Sequence, residues 1–515
     1  MKQYYLIAHD LGTTGDKATL FRLEGEEKSG RFITGEGVLV RSVIRPYETQ
    51  YFNGNWAEQK PEDWWRAFCT ANRELLEGID PDLVAGLAFS GQMMGCVLVD
   101  RQGMPLRDAI IWADQRAVKQ EQQLRDKIPE EEFYHITGHR ISASYSLEKL
   151  MWVRENEPET FAGTYKMLLP KDFMIHRLTG QFVTDYSDAS GTNAFDLNRL
   201  VWSERILKAA EIPAGVLPEV KPSAFAAGKL NAGMAKECSL PEGLTIILGG
   251  GDGVCASVGA GSVRENVAYN YLGSSSWISY TSRKPVYDPE LRTFNWAHMI
   301  PGYYAPCGTM QAAGNSYSFM KKVLGDGLDV PPGMSVYDKM NELAECSLPG
   351  AGGLIFLPYL LGERSPRWNP DARGAFIGLK MEHTKGDMLR AALEGIIMNL
   401  DIILKIFKDH ADIPAIHIIG GLAKGEAVRR ILADIYGMPV VRLHYLEEAT
   451  SMGAAAAAGV GSGLFAGYEE IEKLICREET ILPNPERSLA YEPVKKVFDH
   501  SYQALMDIYR ELAQI

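Results

Sequence analysis

The stretch Asp10-Leu11-Gly12-Thr13-Thr14-Gly15-Asp16-Lys17 lies between two apolar runs, Tyr4-Tyr5-Leu6-Ile7-Ala8 and Ala18-Thr19-Leu20-Phe21. Two strand-length apolar runs joined by so few small and polar residues fold as strand, tight turn, strand. The turn offers backbone N–H groups and hydroxyls to a phosphate, and Asp10 is suited to a hydrated metal ion. It is not a P-loop, because Lys17 is on the outgoing strand and no Gly-Lys-Ser/Thr opens a helix. An ordinary polar hairpin loop satisfies the same residues, so the turn alone does not choose between the two.

The pattern recurs. The first half reads as strands 4–10, 17–23 and 36–45, a helix over 61–77 begun by Pro61, strands 83–89 and 96–99, and helices 115–127 and 146–156. The polar stretch Gln181 to Val201 reads as a loop-rich insertion. Near residue 245 the chain starts again: Leu244-Thr245-Ile246-Ile247-Leu248 is a buried-type strand ending in Gly249-Gly250-Gly251-Asp252-Gly253, then a helix from Val254 to Ala260. Strands 267–272 and 277–281 flank Gly273-Ser274-Ser275-Ser276, a second hydroxyl-rich hairpin. Strand 415–419, the loop Gly420 to Gly425, helix 426–436 and strand 439–443 make a β–Gly-loop–α–β unit. The Ala/Gly-rich run Gly453 to Gly463 reads as a tightly packed helix. This divides the chain into domains 1–244 and 245–515. Each half opens with a strand and a carboxylate near its C-terminal end, Asp10 and Asp252. Ligands of α/β sheets sit at such ends, so the two carboxylates are expected to face each other across an interdomain cleft.

Composition narrows the class. At 515 residues two domains are the natural division, and 46% hydrophobic with 23% charged residues fits an ordinary globular protein. A net charge of -13 argues against a nucleic-acid or anionic-membrane partner. No signal peptide or membrane-length apolar run is visible, and the seven cysteines are scattered with no CxxC pair. A cytoplasmic protein with reduced thiols is the expectation.

Asp252 is the first candidate for chemistry. Three preceding glycines let the backbone approach a substrate closely, and an isolated carboxylate there is placed to accept a proton from a bound hydroxyl. Capping the following helix is the competing role. Trp64-Trp65, at helical spacing with Phe68, reads as core, which leaves Trp56 as the better candidate for stacking on a ligand.

Two long motifs then carry a resemblance. Ser144-x-Ser146-x-x-Lys149-Leu150-x-Trp152-Val153-x-Glu155-Asn156 and Gly374-x-Phe376-x-Gly378-Leu379, followed after seven residues by Asp387-Met388-x-x-Ala391-Ala392-Leu393-Glu394, resemble the two signatures of the FGGY carbohydrate kinases. Ser90-Gly91-Gln92-Met93, Trp112-x-Asp114-Gln115-Arg116, Asp188-Ala189-Ser190-Gly191-Thr192 and Gly362-Glu363-Arg364-x-Pro366 add to it. The resemblance covers nearly the whole chain and is strongest to the xylulokinase branch. It implies an α/β fold of two actin-like (ribonuclease H-like) domains, each a mixed five-stranded sheet flanked by helices, with a cleft between them.

It also implies roles. Asp252 falls on the family's general base and Asp10 on its metal-associated carboxylate. Thr13, Thr14 and Lys17 match the first phosphate hairpin, and Gly273 and Ser274 the second. Gly421, Lys424 and Gly425 match the adenosine loop, with Gly314 and Ser318 as a second adenosine-side contact. Gln92, Met93 and Met94 match the sugar-side loop. Two positions depart from the xylulokinase pattern: Met94 stands where that branch usually has His, and Gly253 where it usually has Asn. Losing two hydrogen-bonding side chains changes which hydroxyls are recognised.

The implied activity is transfer of the γ-phosphate of ATP, with Mg²⁺, to a hydroxyl of a small sugar. A ketopentose such as xylulose leads. Another ketose, ribulose, gluconate or a polyol is the alternative, and glycerol fits less well because Met93-Met94 does not resemble that branch's Arg-Glu pair. Dimers are common in the family, which leaves a homodimer open. An actin-like nucleotide-switched binding protein would share the hairpins and the adenosine loop without needing Ser90-Gly91-Gln92 or the setting of Asp252.

Overall fold

A computed structural model describes residues 2–28 and 31–515. The first sheet contains β1 (Lys2–Leu11), β2 (Gly15–Lys28), β3 (Arg31–Pro46), β4 (Val84–Gly91), β5 (Ala226–Lys229) and β6 (Thr245–Gly251), in the order β5-β6-β4-β1-β2-β3. The second contains β7 (Ala268–Leu272), β8 (Ser276–Tyr280), β9 (Phe294–Ala297), β10 (Tyr304–Met310), β11 (Ile416–Ile419), β12 (Val440–Leu443) and β13 (Arg477–Ile481), in the order β9-β10-β8-β7-β11-β12-β13. The helices that bear on the site are α1 (Pro61–Leu75), α2 (Ser146–Asn156), α3 (Asp252–Gly259), α4 (Gly314–Leu324), α5 (Lys385–Lys408), α6 (Glu426–Tyr436) and α7 (Ala449–Ser462).

The series β3-β2-β1-β4-β6 and β10-β8-β7-β11-β12 share one order and one set of directions: two antiparallel neighbours, then two parallel ones. These are the five strands expected of each domain, and the duplication lies in topology rather than in text. Both sheets are wider than five. Antiparallel β5 extends the first to six strands, and antiparallel β9 and β13 extend the second to seven.

The boundary at 244/245 does not divide the sheets. β6 pairs in parallel with β4, so it and the helix it feeds belong to the first sheet, and the second sheet starts at Ala268. Asp10 and Asp252 therefore do not come from opposite domains. They sit at the C-terminal ends of two parallel strands of one sheet, with the end of β4 between them. The N-terminal hairpin instead has its counterpart in the hairpin between β7 and β8.

Side-chain alternation along β1 explains which face Asp10 joins. Tyr5, Ile7 and Leu11 pack with Trp64 and Phe68 of α1 on one face. Leu6 and Ala8 pack with Ala454–Ala458 of α7 on the other. Asp10 follows Leu6 and Ala8 and so points towards α7. The small residues of that helix have a definite cause. A Cβ on Gly453 would stand 2.0 Å from the Cys255 carbonyl oxygen, and one on Gly259 would stand 1.8 Å from that of Ala449. Side chains larger than these would hold α3 and α7 apart and lift α7 off the first sheet.

The polar stretch 181–201 is not an exposed insertion. Asp185, Ser187, Asp188, Ser190, Thr192 and Asn193 are buried. Lys171 Nζ lies 2.6 Å from Asp172, 3.0 Å from Asp185 and 3.1 Å from Asp188, so the polarity is internal pairing. Among the described residues no helix is long and apolar enough to cross a membrane.

Candidate active site

The site is built where the ends of β1, β4 and β6 meet α7. Ser90 Oγ donates to Asp10 Oδ1 at 2.7 Å, and Thr450 Oγ1 donates to Oδ2 at 2.6 Å. Hydrogen bonds to a carboxylate contribute about 1.5–3 kcal/mol each. Burial pushes the Asp10 carboxyl up, and the two hydroxyls and Lys17 oppose that.

Asp252 is the first residue of α3. The N-cap is Gly251, and among the described residues the Asp252 side chain bonds only the next backbone N–H, that of Gly253, at 2.7 Å. One carboxylate oxygen thus satisfies an N–H of the first helical turn, and the other has no protein partner among the described residues. Burial, and second the charge of Asp10, push its carboxyl up to about 7. Asp10, Lys17, Asp252, Tyr271, Trp277 and Thr450 line one cavity of about 200 Å³. Two strand spacings separate β1 from β6, roughly 10 Å. Both carboxylates thus face the same space without touching.

Ser187 Oγ accepts from Gly251 N at 3.0 Å and donates to Asp185 Oδ2 at 2.6 Å, which ties the strand end before Asp252 to the buried Lys171 cluster. On the other side, Trp277 Nε1 donates to Tyr269 OH at 2.8 Å, and Tyr269 donates to the Gly253 carbonyl at 2.5 Å. The second sheet thereby holds the backbone beside Asp252.

In the first hairpin, Thr13 Oγ1 accepts from Trp112 Nε1 at 2.8 Å, while Thr14 is exposed. Lys17 Nζ donates to the Glu447 carbonyl at 2.6 Å. Among the described residues it has no carboxylate partner, so its charge is left for an anion. In the second hairpin, the N–H groups of Gly314 and Asn315 at the start of α4 bond the carbonyls of Gly273 and Ser274 at 2.9 and 3.0 Å. Gly420 lies against Leu272 with φ +95°, and its N–H bonds Leu446 O at 2.7 Å. A Cβ there would stand 2.6 Å from the Leu272 carbonyl oxygen, so the position requires glycine. Lys424 pairs with Glu447 at 2.9 Å, and a Cβ on Gly425 would stand 2.7 Å from Asn341 Nδ2. Gly273, Gly314, Gly421 and Lys424 are thus brought together around the two hairpins. Ser318 is exposed further along α4 and accepts from Tyr337 OH at 3.1 Å.

On the sugar side, Gln92 Nε2 donates to Gln59 Oε1 at 2.8 Å, and its own Oε1 is buried without a partner. Met93 packs against Gly251 and Gly191. Met94 takes φ +61°, and its carbonyl accepts from Lys149 Nζ of α2 at 2.8 Å. Trp56 is not a free stacking face, because the Arg116 guanidinium lies 3.9 Å from its ring centre. Trp64 and Trp65 are core, as their spacing suggests.

Sequence reasoning missed Thr450, Glu447 and Trp277. Thr450 and Glu447 are far from either hairpin in sequence and no local pattern marks them. Trp277 follows directly on the second hairpin, and that adjacency was the available signal.

Two tight hairpins stand at equivalent places on the two sheets, and Asp10 and Asp252 stand at the ends of parallel strands of an α/β fold. The chain belongs to the FGGY family of carbohydrate kinases: the N-terminal domain family matches residues 5–259 and the C-terminal domain family residues 268–462. It is thereby a sugar kinase by class. A xylulose kinase of Lactococcus lactis is 31% identical over 99% of both chains. The crystal structure of a gluconate kinase from Lactobacillus acidophilus superposes with a TM-score of 0.90 at 27% identity, covering 99% of this chain and 100% of that one. A ligand-bound xylulose kinase from the same species gives 0.88 at 26% identity, covering 99% of each.

Proposed function

We propose that this chain phosphorylates a terminal hydroxyl of a small sugar with ATP, with Asp252 as the general base. The observation that carries the reading is the Asp252 carboxylate: half-buried, bonded among the described residues only to its neighbour's N–H, and facing the same cavity as Asp10 and Lys17. A base with a pKa near 7 takes a hydroxyl proton in neutral solution more readily than an ordinary carboxylate. The proton passes from the sugar oxygen to Asp252 as that oxygen attacks phosphorus in line, and ADP leaves.

Thr13, Thr14 and Lys17 bind phosphate oxygens from one side, and Gly273 and Ser274 from the other. Gly314, Ser318, Gly421, Lys424 and Gly425 hold the adenosine side. Gln92, Met93 and Met94 position the sugar. Asp10 fits a magnesium ion that keeps most of its waters: it is one carboxylate, fixed by two hydroxyls, beside the space for phosphate. Magnesium held there neutralises phosphate charge. Xylulose is the leading acceptor, supported by the relatives of that activity. Gluconate is the second reading, supported by the superposition on a gluconate kinase.

The test is ADP release with Mg-ATP across ketoses, polyols and sugar acids. One strong responder, recovered as its phosphate ester, supports the proposal. Sugar-independent ATP turnover with no ester would replace it with a nucleotide-switched binding protein.

A further inference from the structure

Gly249, Gly250 and Gly251 give the backbone before Asp252 more freedom than any other residue type would. The parallel pairing of β6 with β4 also shifts register between Ile247 and Gly249, so a regular ladder does not hold this end of the strand. A general base that moves by about 1 Å can lose a hundredfold in rate. The glycine run therefore needs a hold from outside the sheet.

Ser187, on the short helix Tyr186–Ser190, supplies one. Its Oγ accepts from Gly251 N at 3.0 Å, and a Cβ on Gly250 would stand 2.8 Å from the same oxygen. One side-chain atom thus touches both residues that precede Asp252, and all three are buried. Asp185 sets the direction of the bond. Its Oδ2 accepts from Ser187 Oγ at 2.6 Å, from Ser187 N at 3.0 Å and from Ser223 Oγ at 2.8 Å, and its Oδ1 lies 3.0 Å from Lys171 Nζ. A hydroxyl has one proton. With that proton given to Asp185, the Ser187 oxygen faces Gly251 as an acceptor only. Lys171 also braces the neighbouring strand: a Cβ on Gly91 would stand 3.1 Å from Lys171 Cβ, and Gly91 pairs with Gly251. Capping of the short helix accounts for the bond from Ser187 N to Asp185. It does not call for a hydroxyl at 187 that reaches across to Gly251.

We propose that Ser187, oriented by Asp185 and Lys171, is a positioning residue for the general base. It fixes the glycine run and with it the place of the Asp252 carboxylate. The proposal rests on the reading of Asp252 as the base. Ser187 does not line the cavity that Asp252 faces, so its removal acts on the reaction through Asp252.

The experiment compares Ser187→Ala with Ser223→Ala in the full-length protein, with Mg-ATP and the sugar that the wild type phosphorylates. Each variant removes a buried hydroxyl that donates to the same Asp185 oxygen, but only the Ser187 hydroxyl also accepts from the glycine run. Gly249 N bonds the backbone carbonyl of Ser223 at 2.9 Å, which alanine retains. S187A should lose about tenfold to a hundredfold in kcat, with the KM values for ATP and sugar within about twofold of wild type. S223A should keep kcat within about threefold while its Tm falls by a similar amount. Should S187A fold poorly, S187C, whose thiol is a weaker acceptor, should show the same split between kcat and KM. Equal kcat in S187A and S223A, or a loss in S187A that lies in KM, overturns the proposal. A wild-type kcat in S187A while Asp252→Asn is inactive overturns this inference alone. An active Asp252→Asn removes the reading of Asp252 as the base, and this inference with it.

Discussion

Thr450 Oγ1 reaches Asp10 Oδ2 at 2.6 Å across 440 positions of sequence. The hydroxyl arrives on α7, which comes from the second half of the chain and packs on the first sheet. The carboxylate assigned to magnesium is therefore held by both halves at once. Thr450→Val keeps the shape and removes the donor. Steady-state kinetics should show about a tenfold loss in kcat/KM for Mg-ATP, with a raised magnesium requirement. A magnesium titration that superposes on wild type would separate Thr450 from the site.

Burial and Asp10 together hold the Asp252 carboxyl near 7. A general base works only when ionised. Activity should therefore rise with pH through about 7 and level off above it, which a kcat/KM profile between pH 5 and 9 reads directly. A flat profile down to pH 5 would mean that another group takes the proton.

The same shift has a stability cost with a definite sign. A carboxyl near 3.9 in the unfolded chain and near 7 in the folded one is bound to a proton mainly in the folded state between those values. Stability from this group is present below pH 4, falls as pH rises through that window, and stays lost above 7. Asp252→Asn should raise Tm by a few degrees at pH 8 and leave it unchanged near pH 4, measured by calorimetry at both.

Lys17 gives its ammonium to a backbone carbonyl of Glu447 and to no carboxylate among the described residues. Lys17→Met should raise the KM for ATP about tenfold or more and leave the KM for the sugar within twofold. Equal increases in both would place Lys17 in the fold rather than at the phosphates.

Lys149 is wholly buried and donates to the carbonyls of Met94 and Ser144, at 2.8 and 2.5 Å. Burial lowers its amine to about 7. It holds Met94 in its left-handed backbone conformation. Lys149→Met should raise the sugar KM and leave the ATP KM near wild type, with Lys149→Arg intermediate.

The first hairpin, the strand before Asp252 and the amphipathic α6 were legible because each is a local pattern: apolar runs, glycines and helical spacing. The pairing of β6 was not. A strand followed by a Gly-Asp turn reads the same whether it opens a second domain or closes the first sheet, and only its hydrogen bonds to β4 decide. The burial of 181–201 was hidden for a related reason: polar composition reports affinity for water or for partners, and Lys171 supplies the partners. Trp56 failed as a stacking face because Arg116, distant in sequence, covers it. Asp10, Asp252 and the glycines of both loops are proposed from their motifs, whereas Thr450 and Glu447 come beside Asp10 and Lys17 only through tertiary packing.

The most direct test of the central claim is single-turnover formation of sugar phosphate by wild type and Asp252→Asn, with Mg-ATP and the responding sugar, alongside nucleotide binding. Loss of the base should slow the chemical step by about 10²–10⁴-fold with ATP affinity unchanged. Near-wild-type turnover in Asp252→Asn would contradict the assignment of Asp252 as the base.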